Sequence, residues 1–343
     1  MRHNFKVLSV HSDFLIGARG YKIDKYSLDG KRLEHVGDVI DPKYAKLAGC
    51  KLTRRLMRAE LTGLYELEDG SMIAIGKKGL FLREGSEMKV PNSKFQVSKD
   101  FHKVFAMPRG SKPLNLCITR SGHIFFGEYF QNMEKVAVNV YGSMDGGQTW
   151  KVVYTFAEGN INHVHGLFLD PYTDRIWVLT GDRENECIIG WTDDEFKTLH
   201  EELRGGQEYR SCQLFFYKDF IVYATDSQYI ENEIRKIDRK TLEITTLAKV
   251  QGSAIKGGQC GDVAFISTTV EPSEVNQEKA SHVWVSKDGE HWQDVYMAEK
   301  DCWPAILQYG TIEFPNYKEI SNELYFSGRA VKWLDGKTTS VKI

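Results

Sequence analysis

The sequence predicts an all-β fold, a seven-bladed β-propeller with four antiparallel strands per blade, and three observations carry that prediction. Helical periodicity is scarce, while short runs rich in Val, Ile, Phe, Tyr and Leu recur between Gly and Asp turns. One turn returns seven times, at Asp29-Gly30, Glu84-Gly85, Asp145-Gly146, Asp193-Asp194, Asp238-Arg239, Asp288-Gly289 and Asp335-Gly336. Its first positions stand 55, 61, 48, 45, 50 and 47 residues apart, near the roughly 40 to 50 residues of a propeller blade. Finally, the N-terminal segment reads as one complete unit: FKVLSV, DFLIGAR, YKIDKYS and RLEHVG, joined by tight turns.

Later units repeat the template, as in TGLYELEDG with SMIAIG and HVHGLFLDPYTDR with IWVLTG. The segments 37–59, 91–112 and 267–281 read as loops between strands. No composition shift marks a linker, so residues 1–343 are expected to form one domain. Radial repetition leaves short, protected sheet edges, which limits edge-to-edge aggregation.

The bulk composition excludes several classes. With 41% hydrophobic and 27% charged residues, the chain resembles neither a disordered nor a membrane protein. A net charge of -2 provides no global field for nucleic acid or an anionic membrane, so neither is expected as a partner. The six cysteines, at 50, 117, 187, 212, 260 and 302, show no CxxC pair. They read as small buried side chains in a reducing compartment. His11, Ser12 and Asp13 interrupt the N-terminal apolar run, and no stretch reaches the roughly 20 apolar residues of a membrane helix. A soluble, cytoplasmic protein is expected.

The most specific motif is Ser143-Met144-Asp145-Gly146-Gly147-Gln148-Thr149-Trp150, which matches SxDxGxTW. It resembles the Asp-box, or bacterial neuraminidase repeat, of the sialidase-like superfamily. Ser286-Lys287-Asp288-Gly289-Glu290-His291-Trp292 is a shorter version, and Trp191-Thr192-Asp193-Asp194-Glu195-Phe196 a degraded one. The motif's residues do structural work: the carboxylate accepts backbone N–H groups, Gly takes positive φ, and Trp packs between sheets. Asp145, Trp150, Asp288 and Trp292 are therefore expected to hold hairpins, away from substrate. The resemblance implies a propeller and a carbohydrate-active function. The family's early Arg-Ile-Pro segment is missing, the nearest arginine being Arg19 in Ala18-Arg19-Gly20-Tyr21.

In a propeller the chemistry belongs where the loops before each inner strand meet those joining second and third strands. Basic residues from several blades aim at this mouth although the chain is slightly acidic, which points to an anionic ligand. Arginine forks grip carboxylates bidentately, and Arg109, Arg210 and Arg329 are the favoured clamp. Arg19, Gln213, Asp226 and Tyr229 complete the expected substrate-binding set. His163 and His165 flank one residue on an inner strand and so share a face. Together with Glu128, Tyr129 and Asp182 they are the expected catalytic residues, the imidazoles serving as base and orienting donor. The sialidase nucleophile is a tyrosine activated by a glutamate, and Glu128-Tyr129 and Glu208-Tyr209 contain those types, although neighbours on a strand face opposite ways. No cofactor and no metal are expected, with one exception. A divalent metal could use His163 and His165, with Asp182, Glu128 or Asp226 as a third ligand.

The leading expectation is a glycoside hydrolase acting on an acidic glycan containing sialic or uronic acid. A polysaccharide lyase using His or Tyr on a uronate is the second reading. A non-catalytic propeller that binds a glycan or a protein is the third. An acidic oligosaccharide or polysaccharide is the partner in the first two; oligomeric state leaves no mark in the sequence. Walker, Rossmann, GxSxG and HExxH motifs are all absent from the sequence.

Overall fold

A computed structural model describes residues 2–85, 98–305, 307–320 and 322–343. The expected first unit is present strand for strand, as Lys6–Val10, Phe14–Arg19, Lys22–Ser27 and Arg32–Asp38, paired antiparallel in that order. Four further sheets have four strands each and begin with Gly63–Glu66, Cys117–Ile118, His163–Leu169 and Ser211–Phe216. An eight-stranded sheet holds the remainder except Asn316–Tyr317, which pairs parallel with Ser9 and Val10 of the first unit, and it is joined internally where Thr269 and Val270 pair with Thr311 and Gly310. One side of that junction begins with Ala254–Cys260, and the other with Gly310–Glu313.

Strand after strand is buried on both faces, as the all-buried run Ile176–Gly181 shows. Because alternate side chains point opposite ways, each strand feeds two different cores. Ile176 and Val178 join a cluster with Phe125 and Val140 of the preceding sheet, while Trp177 and Leu179 join one with Leu214 and Tyr223 of the next. Apolar clusters of this kind follow one another along the chain. The last to be reached returns to the beginning, where Tyr325 packs with Phe5, Val7, Leu15 and Tyr26. A cavity of about 390 Å³ is lined by Leu8, Thr62, Asn115, Phe168, Gln213, Lys256 and Glu313, one residue from or beside each first strand.

Five expectations change. Asp335-Gly336 joins the second and third strands of its unit, Glu323–Arg329 and Thr338–Lys342, rather than closing it. The fourth strand there is Arg2–His3, paired with Thr338 and Thr339, so the chain's beginning completes its last sheet. Glu84-Gly85 opens a long connection, not a tight turn, and the partner strand starts only at His102. Within 37–59 lie two short helices, Tyr44–Ala48 and Lys51–Met57. The third of the expected loops is shorter than 267–281, because the strand Val263–Val270 continues through Val270 to meet Thr311. Part of the 91–112 loop, 91–97, lies outside the described residues; 102–106 is a strand. Among the described residues no helix is long and apolar enough to cross a membrane.

Candidate functional site

His163 opens the first strand of its sheet, pairing with Gly181. Between Val164 and Gly166 the register slips by one residue, leaving His165 in a bulge. Bulges re-aim side chains, and here the two imidazoles still converge, with ring centroids 5.0 Å apart. Both are buried, His165 at 1% and His163 at 5% exposure. The Nδ1 of His163 lies 2.9 Å from the Phe130 carbonyl, and the Nδ1 of His165 lies 2.9 Å from the Ser211 carbonyl. A carbonyl only accepts, so each Nδ1 carries the proton. The two Nε2 atoms then face each other at 3.1 Å, with Asp182 Oδ1 at 3.1 Å from His165 and 3.5 Å from His163.

Asp182 is the hub of this cluster. Its Oδ2 accepts from the Asn162 amide at 2.8 Å, and its Oδ1 faces Arg210 Nη2 at 3.0 Å. Arg210 is 7% exposed, and its Nε lies 3.7 Å from Asp226 Oδ2. Burial would lower the guanidinium pKa, but Asp226 and Asp182 raise it. Asp226 also accepts from the Cys212 thiol at 3.3 Å. Burial, and then Asp226, push that thiol well up. Glu271 stands close enough for its carboxyl to be raised by burial and by Asp226.

Tyr129 packs its ring 4.3 Å from His163 and 6.3 Å from His165. Its hydroxyl donates to no described residue, and burial raises its pKa well above that of a free phenol. Lys112 belongs to the loop before Cys117–Ile118, where Gly110 presses against the Tyr129 backbone. Neither Lys112 nor Lys256 makes a hydrogen bond or ion pair among the described residues. Burial lowers the pKa of both, and at Lys112 Arg329 deepens the effect.

The expected residues thus divide. His163, His165, Asp182, Tyr129, Arg210 and Asp226 come together. The Glu128 carboxylate is fully engaged: it takes a two-pronged ion pair from Arg109, the Asn139 N–H at 2.9 Å and the Tyr141 hydroxyl at 3.4 Å. All three arginines of the expected clamp are already paired: Arg109 with Glu128, Arg210 with Asp182, and Arg329 with Glu60 and Glu313. Gln213 lines the central cavity and donates to the Ile255 carbonyl. Tyr229 is 66% exposed and touches none of the cluster. Arg19 lines a separate cavity of about 640 Å³ beside the two short helices. Sequence reasoning does not single out Cys212, Asn162, Glu60 or Glu313. A lone polar residue beside an inner strand carries no spacing signal; only the ring arrangement shows what faces it.

No protein-family model matches the chain, and no curated protein matches it. Solved structures do. The WD40 β-propeller domain of Doa1 aligns at a TM-score of 0.55 and 10% identity, over 98% of this chain and 93% of that one. The polysaccharide lyase Uly1 aligns at 0.51 and 10%, over 98% and 89%. The GH74 enzyme of Niastella koreensis aligns at 0.53 and 12%, over 84% of this chain but only 45% of its own length. At such identities the likeness concerns the fold: an all-β chain whose structural neighbours are β-propellers.

Proposed function

We propose that the chain is a seven-bladed propeller enzyme that cleaves an acidic glycan at its channel mouth, by β-elimination next to a uronate carboxylate. One observation carries this reading: the side chains of Tyr129, Lys112 and Lys256 have no hydrogen-bond or ion-pair partner among the described residues, whereas Arg109, Arg210 and Arg329 are all engaged. Elimination needs a base, an acid and a charge that stabilises the carboxylate-bearing carbanion. Lys112, whose ammonium form burial disfavours, takes the proton α to the carboxylate. The electron pair left behind forms the carbon–carbon double bond as the glycosidic C–O bond breaks. Tyr129 protonates the leaving oxygen, and Lys256 faces the carboxylate. The likeness to a polysaccharide lyase, which extends over 98% of this chain, agrees with elimination but does not specify it. All six cysteines are free, which suits a cytoplasmic protein acting on imported oligosaccharides. Four Ser/Thr-x-Asp turns described below fit the Asp-box resemblance.

Hydrolysis is a second reading, favoured by Glu271, whose raised carboxyl pKa suits a proton donor. A panel of uronic-acid polymers separates the two. Elimination gives a conjugated product that absorbs in the ultraviolet, whereas hydrolysis gives new reducing ends without absorbance. Tyr129→Phe and Lys112→Met should each slow the absorbance change by about 10²-fold or more while circular dichroism stays unchanged. Lys256→Met should chiefly raise KM. Reducing ends without absorbance would replace elimination by hydrolysis, and no cleavage with retained glycan binding would leave a binding propeller.

A further inference from the structure

We propose that His163, His165 and Asp182 form a binding site for one divalent transition-metal cation of the Zn²⁺, Mn²⁺ or Fe²⁺ class. Three features of the geometry point to it. The first is spacing. Ligand atoms about 2.1 Å from one ion stand about 3.0 Å apart at right angles and about 3.4 Å apart at tetrahedral angles. The three atoms here, His163 Nε2, His165 Nε2 and Asp182 Oδ1, are separated by 3.1, 3.1 and 3.5 Å. They therefore fit one face of a coordination sphere.

The second feature is orientation. Each imidazole has its Nδ1–H fixed on a backbone carbonyl, Phe130 for His163 and Ser211 for His165. This arrangement fixes the tautomer, leaves the Nε2 lone pairs as ligands and makes them more basic. Without a cation or an added proton, two lone pairs and a carboxylate oxygen confront one another at near contact, which is electrostatically unfavourable. The Asn162 amide holds the other Asp182 oxygen and fixes the carboxylate plane.

The third feature is charge. Arg210 has Asp182 at 3.0 Å and Asp226 at 3.7 Å. Two carboxylates against one guanidinium leave a negative charge unbalanced, which a bound cation offsets. Asp226 gives the guanidinium a second carboxylate beside Asp182. Two imidazoles and one carboxylate favour a borderline transition ion over Ca²⁺ or Mg²⁺, which prefer all-oxygen shells. A second triplet, His165, Cys212 and Asp226, also lies within ligand spacing. It is the weaker site, since burial and Asp226 hold the Cys212 thiol protonated.

Three protein ligands leave open positions, as in catalytic rather than structural sites. Any use of those positions to hold a substrate carboxylate rests on the elimination reading above; the existence of the site does not. The rival account of the same geometry is a proton shared between the imidazoles.

The test measures metal alone. The full chain is stripped with a chelator and titrated with Mn²⁺ and with Zn²⁺ by calorimetry, and its melting temperature is recorded with and without each ion. The proposal expects one ion per chain and a higher melting temperature. It also expects binding weakened by about 100-fold in His163→Gln and in Asp182→Asn. No binding at millimolar ion would overturn it in favour of the shared proton, as would unchanged affinity in both folded variants. Should either variant fail to fold, anomalous diffraction from wild-type crystals soaked in Zn²⁺ decides. A peak between the three side chains supports the site, and a peak elsewhere or none removes it. Absorbance-producing cleavage by a chain that binds neither ion would sink the metal and spare the elimination reading. Metal binding without such cleavage would do the reverse.

Discussion

At the scale of single residues, the cluster depends on the absence of a side chain at Gly181. A Cβ built there would lie 2.5 Å from His165 Cε1 and 3.0 Å from its Nε2. The ring's Nδ1 is held by the Ser211 carbonyl, which limits how far it can shift. Gly181→Ala should therefore displace His165 and weaken binding of a divalent ion while lowering the melting temperature only a little. Ion titration and thermal denaturation of the same preparation check this, and unchanged affinity would show that the ring's position is not critical. The His163/His165 pair was legible in the sequence from its spacing alone. The pairing of Arg109, Arg210 and Arg329 was not, since each partner carboxylate comes from a different loop and only the closed fold decides which charges meet.

At the scale of elements, one turn recurs with the same internal bonding. Ser143 donates to Asp145 at 2.8 Å, Thr192 to Asp194 at 2.9 Å and Ser286 to Asp288 at 3.1 Å, and Ser27 donates likewise to Asp29. In two of these turns the following indole closes the loop, Trp150 onto the Gly147 carbonyl and Trp292 onto that of Gly289, both at 3.0 Å. The acting carboxylate of the degraded copy is Asp194, not Asp193, because the hydroxyl reaches two residues ahead. The Ser27 copy lacks the tryptophan and so escapes a motif search, although its bonding is the same. Asp145→Ala and Asp288→Ala should each cost about 1 kcal/mol, the net worth of hydrogen bonds at a solvated turn. Denaturant midpoints measure the loss, and activity per folded molecule should be unchanged, since these hairpins make no contact with the His163 cluster. A drop in turnover with stability intact would assign them a role in the site.

At the scale of the whole molecule, the cores between sheets run in sequence order and end where they began, with Phe5 stacked on Tyr26 at 3.7 Å beside Tyr325. Strand periodicity made these sheets legible. The seam was hidden, because nothing in RHNF marks it as a strand partner for residues more than 300 positions away. Phe5 is 2% exposed, so Phe5→Ala should destabilise by about 3 kcal/mol, like an interior phenylalanine, despite its place near a chain end. Urea titration checks this, and a loss below about 0.5 kcal/mol, typical of surface positions, would mean that the seam frays.

The pairing of Arg2 with Thr339 also sets an order of events in the cell. During synthesis Arg2 and His3 must wait, unpaired, until Thr338 and Thr339 have left the ribosome. The early sheets can fold before that point, but the one that holds Arg2–His3 cannot, so its closure is delayed by more than 300 residues of synthesis.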